Sequence, residues 1–178
     1  MLSNRLLLTL PLLVFLGFGV FFVSGIFNSS NNELPSQFIG KDAPILNLEP
    51  FHGNSVPNIE DLTTEGVKLV NFWASWCTPC RAEHPHLEYL AENGIPIIGI
   101  NYKDEEAHAL SFLDELGNPF HKIGTDNIGR TALEWGVYGI PETFIVNGQG
   151  KVTFRFPGPI TQRVLDDIIA EIAKAKNQ

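Results

Sequence analysis

Cysteine is almost absent from this chain: two residues in 178. One pair cannot staple a disulfide-rich scaffold, and it cannot supply the four thiolates of an all-cysteine zinc site. Basic side chains are also scarce, 12 Lys and Arg against 20 Asp and Glu, for a formal net charge of -8. Phosphate recognition depends on clustered Lys and Arg, so this balance argues against a nucleic-acid partner. There is no internal repeat and no low-complexity tract. At roughly 100–200 residues per domain, the length has room for one globular domain and little else. A hydrophobic fraction of 44% excludes wholesale disorder.

Charge is missing altogether between Leu6 and Phe27 (LLLTLPLLVFLGFGVFFVSGIF). About 20 helical residues span a hydrocarbon core of ~30 Å, so this run is long enough for one transmembrane helix. A cleaved signal peptide would have a shorter apolar region ending in a small-x-small site, which Val23-Ser24-Gly25 matches poorly. Pro11 is tolerated better in a membrane helix than in a soluble one. Arg5 flanks the run on its N-terminal side, which places residues 1–5 in the cytoplasm and everything past the anchor (6–27) outside it. Polar residues dominate the linker expected over 28–39, and the folded domain is expected over 40–178.

Within that domain, Ile45 to Leu48 and Phe51 read as strand residues of an N-terminal extension. Val67 to Ala74 is β-rich and runs into a helix through Leu87, Leu90 and Ala91, stopping at Asn93-Gly94. Ile95 to Tyr102 reads as a central strand covered on both faces. A helix over Glu105 to Leu116 would take Asp104 as its N-cap, and a short one covers Ile128 to Trp135. Thr143 to Val146 and Lys151 to Phe156 flank Asn147-Gly148, a hairpin signal. The last helix follows Thr161, with Val164, Leu165, Ile168, Ile169 and Ile172 on one stripe. The order β-α-β-α, hairpin, α implies an α/β fold with one mixed central sheet.

Both cysteines fall in Trp76-Cys77-Thr78-Pro79-Cys80, between a strand and a helix. Free amides at a helix start favour a thiolate on the first cysteine. Cys77, at the tip, is the expected exposed nucleophile, and Cys80, one turn in, the resolving thiol. A structural disulfide of this spacing would close a tiny loop and stabilise little. A metal site recruiting His84 and His86 is disfavoured, because positions two apart on a helix face different ways. Covalent haem attachment needs a histidine after the second cysteine, and Arg81 stands there. Neither metal nor bound cofactor is expected. Gly139-Ile140-Pro141-Glu142-Thr143, with proline just before a hairpin strand, suits a tight turn and is compatible with a cis bond.

WCTPC between strand and helix, with GIPET downstream, resembles the thioredoxin fold. That resemblance implies a cis-proline at Pro141 beside the disulfide, with the Ile140 backbone in a groove for an extended substrate. The strings GKDAP, NFWASWCTPCRAEHP, IGINYKD and VYGIPETFIVN more narrowly resemble the membrane-anchored DsbE/CcmG thiol–disulfide interchange proteins of cytochrome c biogenesis. The set Glu83, Asp104, Glu142 and Tyr102 narrows it further. The family resemblance implies a periplasm-facing domain on the inner membrane, kept reduced by a transmembrane thiol carrier. It would reduce the haem-attachment cysteines of apocytochrome c, directly or through a partner thiol protein. Glu83, one turn past Cys80, and Glu142, beside Pro141, are both expected to face the sulfurs and to disfavour the thiolate, which suits a reductant. Trp76 is expected to shape the active surface and Trp73 the core, while Trp135 and Tyr138 pack near the proline turn. Alternatives are a thioredoxin-like reductase of another extracytoplasmic pathway and a thiol-peroxidase-like enzyme on the same fold.

Overall fold

The computed structural model describes residues 11, 13–22, 38–53 and 55–177. They belong to two units, Met1–Pro35 and Ser36–Gln178. In the first, residues 13–22 are helical and carry exposed Leu13, Phe15, Phe18 and Phe22. Among the described residues no helix is long and apolar enough to cross a membrane. The expected tail 1–5, residues 6–10, 12 and 23–27 of the expected span, and 28–37 of the linker lie outside the described residues.

The second unit is built on a six-stranded mixed sheet. In chain order its elements are β1 (Glu49–Pro50), α1 (Ile59–Thr63), β2 (Lys68–Trp73), α2 (Thr78–Glu92), β3 (Ile97–Tyr102) and α3 (Glu106–Leu116). They continue as β4 (Lys122–Asp126), α4 (Arg130–Glu134), β5 (Glu142–Val146), β6 (Val152–Pro157) and α5 (Gln162–Ala175). The spatial order is β1-β4-β3-β2-β5-β6. Strands β2, β3 and β4 are parallel, while β5 runs antiparallel to β2, β6 to β5, and β1 to β4. The chain steps from β2 through β3 to β4 in one direction. Right-handed crossovers therefore put α2 and α3 on the same face.

Strand alternation sorts the core into two layers. Leu69 and Trp73 of β2 and Ile145 of β5 pack in one layer with Leu87 and Leu90 of α2, Phe112 of α3 and Ile168 of α5. Val70 and Phe72 of β2 and Phe144 and Val146 of β5 pack in the other with Leu62 of α1 and Trp135. Both cysteines belong to the first layer.

The N-terminal extension departs from the sequence expectation. Residues 45–48 form no strand; Glu49 and Pro50 pair with Thr125 and Gly124, and before them Asp42 bridges to Lys151. The extension is instead seated by the Thr131 hydroxyl, which donates to the Asn47 carbonyl at 2.8 Å. Two elements come in addition to those expected. One is α1, held by a reciprocal capping box between Asn58 and Asp61. The other is β4, whose Gly124 lets Leu48 and Pro57 approach: a Cβ there would lie 2.6 Å from Leu48 Cδ1.

Candidate active site

Helix α2 begins at Thr78 with Cys77 as its N-cap, and Pro79 sits in the first turn, where its missing N–H costs nothing. The Cys80 amide donates to Cys77 Sγ at 3.1 Å. Cys77 and Cys80 are joined as a disulfide with their Cα atoms 5.3 Å apart. The expectation of an exposed Cys77 needs correction. Only 3% of Cys77 and 2% of Cys80 is accessible, whereas Trp76, Thr78 and Pro79 around them are exposed. The N-cap geometry turns the Cys77 sulfur back over the first turn, into the layer that holds Trp73.

The loop leading to Cys77 is held by the end of β3. Asp104 is not the N-cap of α3; Glu105 takes that position. The Asp104 carboxylate accepts instead from the Ser75 amide (2.6 Å), the Ser75 hydroxyl (2.7 Å), Asn101 Nδ2 (3.0 Å) and the Glu105 amide (2.9 Å). Next to it, Lys103 adopts φ 46, unusual for a residue with a side chain, and its carbonyl accepts from Trp76 Nε1 at 3.0 Å. Tyr102 is half-buried, with the Lys103 ammonium 5.1 Å from its ring centre.

Glu83 is fully buried on α2. Asn71 Nδ2 donates to its Oε1 at 2.9 Å and the Ile160 amide to its Oε2 at 3.0 Å. Burial outweighs these two bonds and pushes the carboxyl up from the usual range to about 7. Asn71 lies between Leu69 and Trp73 on β2, so it faces the layer that contains the cysteines. Its amide also donates to Thr143 Oγ1 on β5, the residue directly opposite it.

Glu142 is placed differently from the expectation. It stands opposite Phe72, and so shares the second layer with Phe72 and Phe144 rather than the cysteine face. Arg155 Nε of β6 donates to its carboxylate. Burial raises the Glu142 carboxyl, while Arg155 and the Tyr138 amide pull it back. The Ile140–Pro141 bond is cis, and Gly158 donates to the Pro141 carbonyl at 2.9 Å. Ile140 is half-buried, Trp135 is buried and Tyr138 is exposed. The structure thus gathers Trp76, Cys77, Cys80 and Asp104 around the start of α2 and sets Glu83 behind it.

Asn71 and Arg155 were not among the residues singled out from sequence. The available signal was a polar side chain inside an apolar strand: Asn in LVNFW and Arg in TFRF.

The family model described as Redoxin matches residues 39–171. The thiol:disulfide interchange protein HelX of Rhodobacter capsulatus is 43% identical over 159 residues, 89% of this chain and 90% of that protein. The thiol:disulfide interchange protein DsbE of Escherichia coli K12 is 37% identical, covering 93% of this chain and 92% of its own. The crystal structure of a Chlorobium tepidum protein assigned as DsbE superposes with a TM-score of 0.67 at 26% identity, covering 76% of this chain and 95% of that one.

Proposed function

The chain belongs to the Redoxin family and, within it, to the DsbE-type thiol:disulfide interchange proteins, and we propose that it acts as a membrane-anchored reductant in cytochrome c maturation. The observation that carries the chemistry is the Cys80 amide aimed at Cys77 Sγ, a helix-start donor placed to stabilise a thiolate. In the dithiol state Cys77 attacks one sulfur of a substrate disulfide, forming a mixed disulfide and releasing the other sulfur as thiolate. Cys80 then loses its proton, attacks Cys77 Sγ and displaces the remaining substrate sulfur. The protein ends as a disulfide and the substrate as a dithiol; two electrons pass, and no cofactor is required.

Glu83, one helical turn past Cys80, supports the reducing direction. Burial pushes its carboxyl up to about 7, and both oxygens are held, one by the Asn71 amide group and one by the Ile160 amide. Once ionised, it disfavours a neighbouring thiolate and makes the reduced form a better donor. Trp76, Ile140, Pro141 and Tyr102 border the substrate groove, and Asp104 with the Lys103 carbonyl supports the loop that carries Trp76.

In this reading residues 6–27 anchor the domain on the periplasmic side of the inner membrane. A transmembrane thiol carrier reloads the dithiol, and the acceptor is the haem-attachment disulfide of apocytochrome c or a partner thiol protein. Similarity to the E. coli protein over 93% of the chain supports a like organisation. The test is a covalent trap: Cys80→Ala should accumulate a mixed disulfide through Cys77, identified by mass spectrometry. A trapped partner outside cytochrome c assembly would move the protein to another extracytoplasmic reducing pathway. Trapping only in Cys77→Ala would invert the two thiol roles.

A further inference from the structure

The reading above gives the Gly136–Pro141 turn the task of pairing with an extended substrate, and the inference here rests on that reading. One side chain grips the turn from the sheet. Arg155 Nη2 donates to the Gly136 carbonyl at 3.1 Å, and Nε donates to the Glu142 carboxylate. The guanidinium carbon lies 4.7 Å from the Tyr138 ring centre and 5.8 Å from that of Phe144. Arg155 therefore touches residues on both sides of Ile140–Pro141. An arginine on an edge strand is ordinarily solvated, yet 8% of this side chain is accessible and none of its partner's.

We infer that Arg155 is a positioning residue for substrate binding: it fixes the Gly136–Pro141 turn and neutralises Glu142, leaving the tuning of the thiols to Glu83. Two physical arguments support this. A buried ion pair is often no more stabilising than apolar side chains of equal volume, so stability alone is a weak reason to keep one here. The contacts also need the planar, multi-donor fork of arginine, which reaches a carboxylate and a carbonyl while stacking on an aromatic ring; the point charge of lysine does not. The sheet layers separate the two acids in the same sense: Glu142 lies opposite Phe72, on the Phe144 side, while Glu83 is bonded to Asn71 on the side of Trp73 and the cysteines.

The experiment uses the full chain in detergent, reducing a synthetic peptide that carries an intramolecular Cys-Ala-Ala-Cys disulfide, with dithiothreitol as electron source. Arg155→Met alone leaves a buried carboxylate unpaired and risks unfolding. The decisive variant is therefore Glu142→Gln/Arg155→Met, which removes both charges together. Its KM should rise by about tenfold, the scale of one lost hydrogen bond plus a cation–π contact, with kcat and reduction potential near wild type. Arg155→Lys should fall between the two. A double variant with wild-type KM overturns the inference. So does a shifted potential with unchanged KM, which would make the pair an electrostatic tuner of the thiols. If the wild-type chain itself shows no saturation, the substrate role of the turn falls first and the role of Arg155 with it.

Discussion

Asn71 Nδ2 lies 2.9 Å from Glu83 Oε1 and 3.0 Å from Thr143 Oγ1, so a single amide group ties β2 to β5 and to the helix that carries Cys80. That bond favours the ionised carboxylate and works against burial. Asn71→Ala should therefore push the Glu83 carboxyl above its wild-type position, at a stability loss of about 1–3 kcal/mol. Carbon-13 NMR titration of the Glu83 carboxyl checks this. An unchanged or lower titration midpoint would show that Asn71 does not hold the charge.

The raised Glu83 carboxyl has a definite consequence for stability against pH. Between the ordinary value of 4.5 and about 7, the native state holds a proton that the unfolded chain has lost. Stability from this group therefore falls as pH rises through that window, by about 3 kcal/mol in all. Glu142, also raised, adds in the same direction. Buried His84 opposes both: its depressed value makes stability rise with pH through the range below 6.5. The clean measurement is the difference between wild type and Glu83→Gln in denaturant unfolding of the disulfide form. That difference should grow from pH 4 to pH 8 in favour of the variant. A flat difference would place the Glu83 carboxyl in the ordinary range.

The two glutamates should separate in a thiol titration. Sequence alone treats them as equivalent acids beside the sulfurs, whereas the fold gives Glu142 a buried cationic partner on the other face of the sheet. Glu83→Gln should lower the pKa of Cys77, read from the ultraviolet absorbance of the thiolate, because an ionised neighbour is gone. Glu142→Gln should change it much less. Equal effects would mean that Arg155 does not neutralise Glu142.

What could be read from sequence follows the strength of local signals. The strand into WCTPC, the helix after it and the Asn147-Gly148 hairpin were legible because periodicity, capping and turn chemistry agree there. Strand β4 was not, since Gly124 is chosen by the approach of Leu48 and Pro57 rather than by strand preference. Residues 45–48 form no ladder: Leu46 and Leu48 pack on the second layer, and Thr131 of α4 holds the Asn47 carbonyl. Asn71 and Arg155 gain their meaning from partners on other elements, Glu83 on α2 and Gly136 before β5, which no local pattern encodes. The burial of Cys77 likewise depends on the N-cap geometry that folds its sulfur inward.

Asp104 is a further case in which a local reading as a helix cap understates the residue. Its carboxylate receives four donors, two of them from Ser75 in the loop before Cys77. Asp104→Ala should cost about 1–3 kcal/mol in denaturant unfolding, since three part-buried donors and the exposed Glu105 amide lose their shared acceptor. Asp104→Asn should be nearly as damaging, because its NH2 group must face two of the four donors. Ser75→Ala, which removes only the hydroxyl, should cost about 1 kcal/mol. Near-wild-type stability of the Asn variant would show that the four bonds are not jointly required.

Gly99 on β3 links the aromatic packing of the cysteine-side layer to the same loop. A Cβ at this position would lie 2.7 Å from Phe120 Cγ, too close for any real contact. The Phe120 ring is stacked on Trp73, centre to centre 5.2 Å, and Trp73 is the last residue of the strand that delivers the cysteine loop. Gly99→Ala must therefore displace Phe120, and overpacking of this kind costs about 1–3 kcal/mol. If the clash is the cause, shrinking the ring should relieve it. Gly99→Ala/Phe120→Leu should then be less destabilised than the sum of the two single variants, by a coupling of about 1 kcal/mol. Strict additivity in thermal or denaturant unfolding would instead mean that the strand, not the ring, absorbs the added methyl group.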